Sequence, residues 1–137
     1  MKLIICVDER KGMMFNNRRQ SRDSVVVADI IKSYKGGLEE RFLISEYSEA
    51  LFENSSLVYK VKRNPMKSAK EIDTCFIEDA WDTDYEDKIE ELVIYNWNRH
   101  YPADTYFHMN LEGYTLVKTE ELVGSSHEKI TKEIYKR

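Results

Sequence analysis

Two stretches of the chain concentrate side chains that can bind or react. From Arg10 to Arg22 there are five basic residues (Arg10, Lys11, Arg18, Arg19, Arg22) and no acid. From Glu71 to Glu91 there are ten acids and one base, Lys88. Guanidinium groups at 18, 19 and 22, with Gln20 between them and Asp23 beside them, suit a carboxylate or phosphate, because the planar fork donates parallel N–H groups to such an anion. Glu78 and Asp79 follow an apolar run and offer either partners for those arginines or a general base. Arg18, Arg19, Gln20, Arg22, Asp23, Glu78 and Asp79 are therefore the candidate ligand-binding residues, and the sharper reading is that the two stretches face each other. The plainer alternatives are intramolecular salt bridges that close a vestigial cleft, and a pair of solvated surfaces of opposite sign.

A third stretch, Ser125-Ser126-His127-Glu128, holds a hydroxyl, an imidazole and a carboxylate. Neighbours in an extended chain point to opposite sides, so a catalytic triad within these four residues is not expected, and a capping or turn role is. His100, His108 and His127 show no paired-ligand spacing, and no metal is expected. Asn96-Trp97-Asn98-Arg99-His100-Tyr101 could stack a base or sugar, but reads more simply as a strand end burying its tryptophan. Cys6 and Cys75 lie within apolar runs and read as small buried hydrophobes without a disulfide framework. No catalytic residue is identified.

The elements that must position these side chains follow from periodicity. Leu3–Val7 is a continuous β-branched run, the pattern of a strand buried on both faces. A polar loop follows to Asp23. Apolar positions at 25, 26, 27, 30, 31 and 34 predict a helix over Ser24–Tyr34, capped by Ser21, Asp23 or Ser24 and stopped by Gly36-Gly37. Arg41–Ile44 is a short buried strand, and Ser45–Phe52 a short helix with Ser45 as N-cap. Leu57–Lys62 alternates and reads as a strand near an edge. Asn64-Pro65 marks a turn, and Ser68…Glu71 a capping pattern with little room behind it. Thr74–Ile77, Leu92–Trp97 and Tyr114–Val123 are strands, and Asp82–Lys88 is a short helix. For the tail, Ser125…Glu128 and the Ile130/Ile134 spacing favour a helix locally. Pairing in a sheet would satisfy every backbone group at once, and a strand over Ile130–Lys136 is expected, with His127 left in a surface turn away from chemistry.

At 137 residues, with 42% hydrophobic and 34% charged side chains, the chain suits one domain, 1–137, with a real core. The net charge of −4 counts against a generic nucleic-acid binder. The apolar run at the start is too short for a membrane span or signal core, so a cytoplasmic protein with no membrane partner is expected. Strands alternating with helices, then strands alone, predict an α/β fold: a mainly parallel sheet flanked by helices, with antiparallel strands at the C-terminal end.

The order of these segments resembles dihydrofolate reductase, shortened and divergent. LIICVDERKGMMFNN is similar to that family's first strand and cleft-lining loop, RFLISEYSEALF to its second strand and helix, and SLVYKVKRNP to the strand after it. DTCFIEDAW sits where the central strand runs into a glycine pair; LEGYTLVKTEEL and KEIYKR resemble the late strands. The departures fall on the sites. The loop reads NNRRQSRDSVVV, with no carboxylate near Val25–Val26, where the family's helix binds pterin; Asp23 is the nearest acid. Ser45-Glu46-Tyr47-Ser48 replaces the family's basic phosphate-binding turn, and Glu78-Asp79 replaces the glycine pair. Glycines let pyrophosphate approach the backbone, whereas two carboxylates add bulk and like charge. NADPH binding and folate reduction are therefore not carried over, and no cofactor is expected. The chain is also similar to short bacterial proteins that carry the label ribonuclease Z, but the HxHxDH motif that chemistry needs is missing.

The resulting expectation is a non-catalytic dihydrofolate-reductase-like module that binds a small polar or anionic ligand, or a partner, through its arginine-rich loop. The alternative is a divergent reductase, or a hydrolase using Glu78 or Asp79 as base. A second alternative is an RNA-binding or nucleolytic protein using Arg18, Arg19 and Arg22.

Overall fold

The apolar run near the start becomes the middle of the molecule. In the computed structural model, which describes residues 1–137, β1 (Lys2–Val7) pairs in parallel with two later strands, β6 (Thr74–Phe76) and β7 (Glu91–Asn96). Beyond β6 lie β4 (Phe42–Ile44) and the two-residue edge strand β5 (Lys60–Val61), again parallel. Beyond β7 the chain returns antiparallel as β10 (Ile130–Lys136), and β9 (Thr115–Leu122) forms the other edge. The seven strands run in the order β5-β4-β6-β1-β7-β10-β9. This is the expected mainly parallel α/β sheet with antiparallel C-terminal strands, and the tail is a strand over the expected residues.

Alternation divides the core into two layers. Leu3, Ile5, Val7, Leu43, Cys75, Leu92 and Ile94 pack on one face with Met66 and Ile89. Ile4, Phe42, Ile44, Phe76, Val93 and Tyr95 pack on the other against Val26 and Ile30 of α1 (Ser24–Ser33) and Leu51 and Phe52 of α2 (Glu49–Phe52). Both faces are covered, as a parallel sheet requires. No helix is long and apolar enough to cross a membrane.

Three local expectations need correction. The polar loop before Asp23 contains a hairpin, β2 (Gly12–Phe15) and β3 (Arg18–Arg19), and β8 (Thr105–Tyr106) completes a small second sheet. Asn16 and Asn17, at φ 52° and 60°, make its two-residue turn; asparagine tolerates the left-handed region that such a turn needs at both positions. Asn64-Pro65 opens a short helix, α3 (Pro65–Ser68): the Asn64 side chain accepts from Lys67 N–H, and Pro65 gives up no helical bond at the first position. Ser45 does not cap the turn that follows it; its hydroxyl donates to Asp79 at 2.6 Å.

Candidate functional site

The carboxyl ends of β1, β6 and β7 meet the start of α1, and there the sheet leaves a narrow cleft of about 20 Å³, room for about one water molecule. Its apolar wall comes from Cys6, Met13, Val26, Val27, Ile30, Leu51, Phe76 and Trp97, and its polar rim from Arg19, Gln20, Ser21, Arg22, Asp23 and Glu78. In open α/β sheets ligands bind at this end of the strands, because the connections diverge there. The structure thus gathers Arg19, Gln20, Arg22, Asp23 and Glu78 at one site. It leaves Arg18 exposed on the hairpin and turns Asp79 towards Ser45, outside the cleft.

The hairpin is fixed from beneath by a buried carboxylate. Asp8, at the end of β1, accepts from the N–H groups of Arg10 (2.9 Å), Gly12 (2.7 Å) and Tyr101 (3.2 Å) and from the Gln20 amide (3.1 Å). Burial alone would raise its pKa, but these donors outweigh burial and hold it below the ordinary value. A Cβ at Gly12 would lie 2.6 Å from both Ala103 Cβ and Gln20 Nε2, so only glycine lets the strand pass this close.

The two charged stretches do face each other. Arg19 Nε lies 2.8 Å from Glu78 Oε1, and its Nη2 lies 3.1 Å from Oε2, a bidentate pair across the cleft. Ser48 donates to the same carboxylate at 2.7 Å, and the guanidinium carbon lies 4.5 Å above the Tyr47 ring. Tyr47 OH accepts from Arg19 N–H at 2.7 Å. Glu78 is therefore an ion-pair partner with its oxygens occupied. Arg22 is exposed at the rim and makes no ion pair, so its charge is free for an anion.

The largest departure from expectation is His127. Instead of standing in an exposed turn away from chemistry, it is 3% exposed and stacks on Trp97, with centroids 4.6 Å apart and planes 20° apart. Its Nδ1 lies 2.9 Å from Asp23 Oδ2, and its Nε2 lies 2.8 Å from Tyr101 OH and 3.1 Å from Ser21 Oγ. Asp23 caps α1 through Val25 N–H (2.9 Å) and accepts from the N–H groups of Ser125 and Ser126, each at 2.9 Å. Burial would raise the Asp23 carboxyl, but the donors from Ser125, His127, Ser126 and Val25 outweigh it and keep it ionised well below the usual carboxylate range. The Nδ1–H group donates to the ionised Asp23 carboxylate, which leaves Nε2 facing the hydroxyls of Tyr101 and Ser21. Gly124 admits this packing, since a Cβ there would overlap Asp23 Oδ2 and stand 2.8 Å from His127 O.

Sequence reasoning missed Ser21, Tyr101 and the place of His127. The available signal was topological. A strand at 130–136 running antiparallel to β7 must begin at the carboxyl end of β7, which brings the preceding turn to the cleft. Cys6 also lines the cleft, but burial raises its thiol well above the ordinary value, and the charges of Glu78 and Asp23 add to that, so it is no nucleophile. No cluster of three or more His, Cys, Asp or Glu side chains converges as a metal site.

No family model matches the chain, and no curated protein matches it. Solved structures do. A dihydrofolate reductase from Enterococcus faecalis, solved in complex with NADP(H) and RAB-propyl, superposes with a TM-score of 0.67 over 99% of this chain and 95% of that one, at 11% identity. The chain has a dihydrofolate-reductase-like fold.

Proposed function

We propose that this chain is a dihydrofolate-reductase-like binding module for a small ligand with an apolar body and an anionic end, and that it performs no NADPH-dependent reduction. The observation that carries the reading is the composition of the cleft: an apolar wall from α1 faces a rim on which Arg22 is the charged side chain with no ion pair and no side-chain hydrogen bond. Arg19 is neutralised by Glu78, and Asp23 is occupied by the turn before β10. A carboxylate or phosphate at Arg22 would leave the apolar part of the ligand to enter beside the half-buried Val27, with the side chains over Val26 and Ile30 parting to admit it.

Calorimetric titration with 1-naphthoate, and with neutral 1-naphthamide as its uncharged counterpart, tests the reading. The carboxylate should bind more tightly, and Arg22→Gln should remove that preference, by about fivefold or more for one charge-assisted contact. Equal affinities for both compounds in the parent protein would overturn it.

A further inference from the structure

The cleft holds one group of side chains whose order matches a catalytic relay as well as a structural clamp. Ser21 Oγ, His127 Nε2, His127 Nδ1 and Asp23 Oδ2 form a continuous chain of hydrogen bonds of 3.1 and 2.9 Å, from the cleft wall to a buried carboxylate. Side chains from two distant parts of the chain build it, and packing fixes each member. Trp97 stacks on the imidazole, two backbone N–H groups of the 125–126 turn hold the carboxylate, and Ser21 lies on the rim beside Arg22. A nucleophile, a base with one ring nitrogen towards that nucleophile, and an anion that orients the base from the other nitrogen are the three roles of acyl-transfer catalysis, which are recognised by geometry and not by sequence order.

We propose that Ser21, His127 and Asp23 hydrolyse a small ester whose acyl part carries an anionic group, with Ser21 as the nucleophile. The inference rests on the reading of this cleft as the ligand site and adds that the ligand is turned over. Ser21 Oγ forms a bond to the ester carbonyl carbon while its proton passes to His127 Nε2 and the carbonyl π pair moves onto oxygen. The tetrahedral adduct collapses, the bond to the alcohol oxygen breaks, and the leaving alcohol takes the proton from Nε2. Water then adds to the acyl-Ser21 carbonyl, giving its proton to Nε2. Ser21 Oγ leaves with that proton, so that ester and water become acid and alcohol. Asp23 stays ionised throughout and holds Nδ1–H.

Tyr101 has a definite part in this scheme. Its hydroxyl lies 2.8 Å from Nε2 and 3.5 Å from Ser21 Oγ. When an ester carbonyl enters beside Ser21, the phenol turns its proton to the carbonyl oxygen, where charge develops, and releases Nε2 to the serine. Arg22, next in sequence to the nucleophile, meets the anionic end of the acyl chain. Glu78 takes no part, because Arg19 and Ser48 occupy its oxygens.

The test uses the full chain with two esters, 4-nitrophenyl acetate and mono-4-nitrophenyl glutarate, and with a fluorophosphonate that phosphonylates activated serines. The glutarate should be turned over faster than the acetate, and Arg22→Gln should abolish that difference. Ser21→Ala should lower kcat/KM by about a hundredfold or more, with Tyr101→Phe lowering kcat rather than raising KM. Fluorophosphonate should add to Ser21 of the parent protein, located by peptide mass, and this readout stands even where a His127 variant fails to fold. Nitrophenolate release unchanged in Ser21→Ala, label on a residue other than Ser21, or neither turnover nor label in the parent would each overturn the proposal. Retained 1-naphthoate binding in that last case would leave the binding reading intact, and loss of both would remove the two together.

Discussion

His127 Nδ1 and Asp23 Oδ2 lie 2.9 Å apart although 104 residues separate them in the chain. The pair joins the N-terminus of α1 to the turn that leads into β10, with both side chains almost wholly enclosed. It closes one side of the cleft, and the Arg19–Glu78 pair bridges it from the hairpin to the end of β6. The site is thus held by a histidine–carboxylate hydrogen bond and an arginine–glutamate ion pair of different burial, and their responses should differ.

Asp23 makes the fold acid-sensitive. Its folded pKa is depressed, so as pH falls the unfolded chain takes up the proton first, near the ordinary aspartate value of about 4. Its contribution is present above that value and is lost as pH falls towards the folded pKa. Asp8, Asp29 and Asp73 are also lowered and act in the same direction. Urea unfolding of Asp23→Asn should show lower stability at neutral pH and a shallower acid limb than the parent. Parallel acid limbs would contradict this account.

Arg19 and Glu78 should not be equivalent. The Glu78 side chain is 9% exposed and the Arg19 side chain 20%. Removing arginine strands the more enclosed charge, so Arg19→Ala should cost about 3 kcal/mol, within the range for a broken buried pair. Glu78→Gln leaves a guanidinium that reaches water and should cost about 1–2 kcal/mol. Chemical denaturation of both variants checks the order, and a larger loss for Glu78→Gln would refute it.

Ile134 lies within β10, paired with Val93 on one side and Lys118 on the other. Ile134→Pro disrupts an internal ladder and displaces a packed side chain, so a loss of about 3 kcal/mol or more is expected. A variant that melts within a degree or two of the parent would show that the strand contributes little.

NADPH should not bind with useful affinity. Glu78 and Asp79 follow β6, where the resemblance expects a glycine pair, and Glu46 lies in the turn after β4. Cofactor fluorescence titrated with protein should stay unchanged through the micromolar range. A dissociation constant in the low micromolar range would contradict the prediction.

Much of the frame is legible in the chain itself. The unbroken apolar run of β1 requires burial on both faces, and the 3.6-residue spacing over 25–34 requires a helix with one apolar side. The charge segregation between Arg10–Arg22 and Glu71–Glu91 is equally legible, and one contact, Arg19 to Glu78, realises it. What the chain does not display is any pairing set by return topology. Lys132 lies on the same buried face as Ile130 and Ile134, which counts against a strand when read locally. In the folded protein it donates to Asp29 at 2.8 Å and to Ser33 at 3.2 Å, so the charge is enclosed with its partners and the strand stands. His127 is the same case: among Ser125, Ser126 and Glu128 it has no catalytic partner. Only when β10 turns back along β7 does it reach Asp23 and Ser21. Periodicity reports which face of an element is buried, because burial acts on each side chain separately. It carries no record of which distant polar groups meet there, because that depends on strand order.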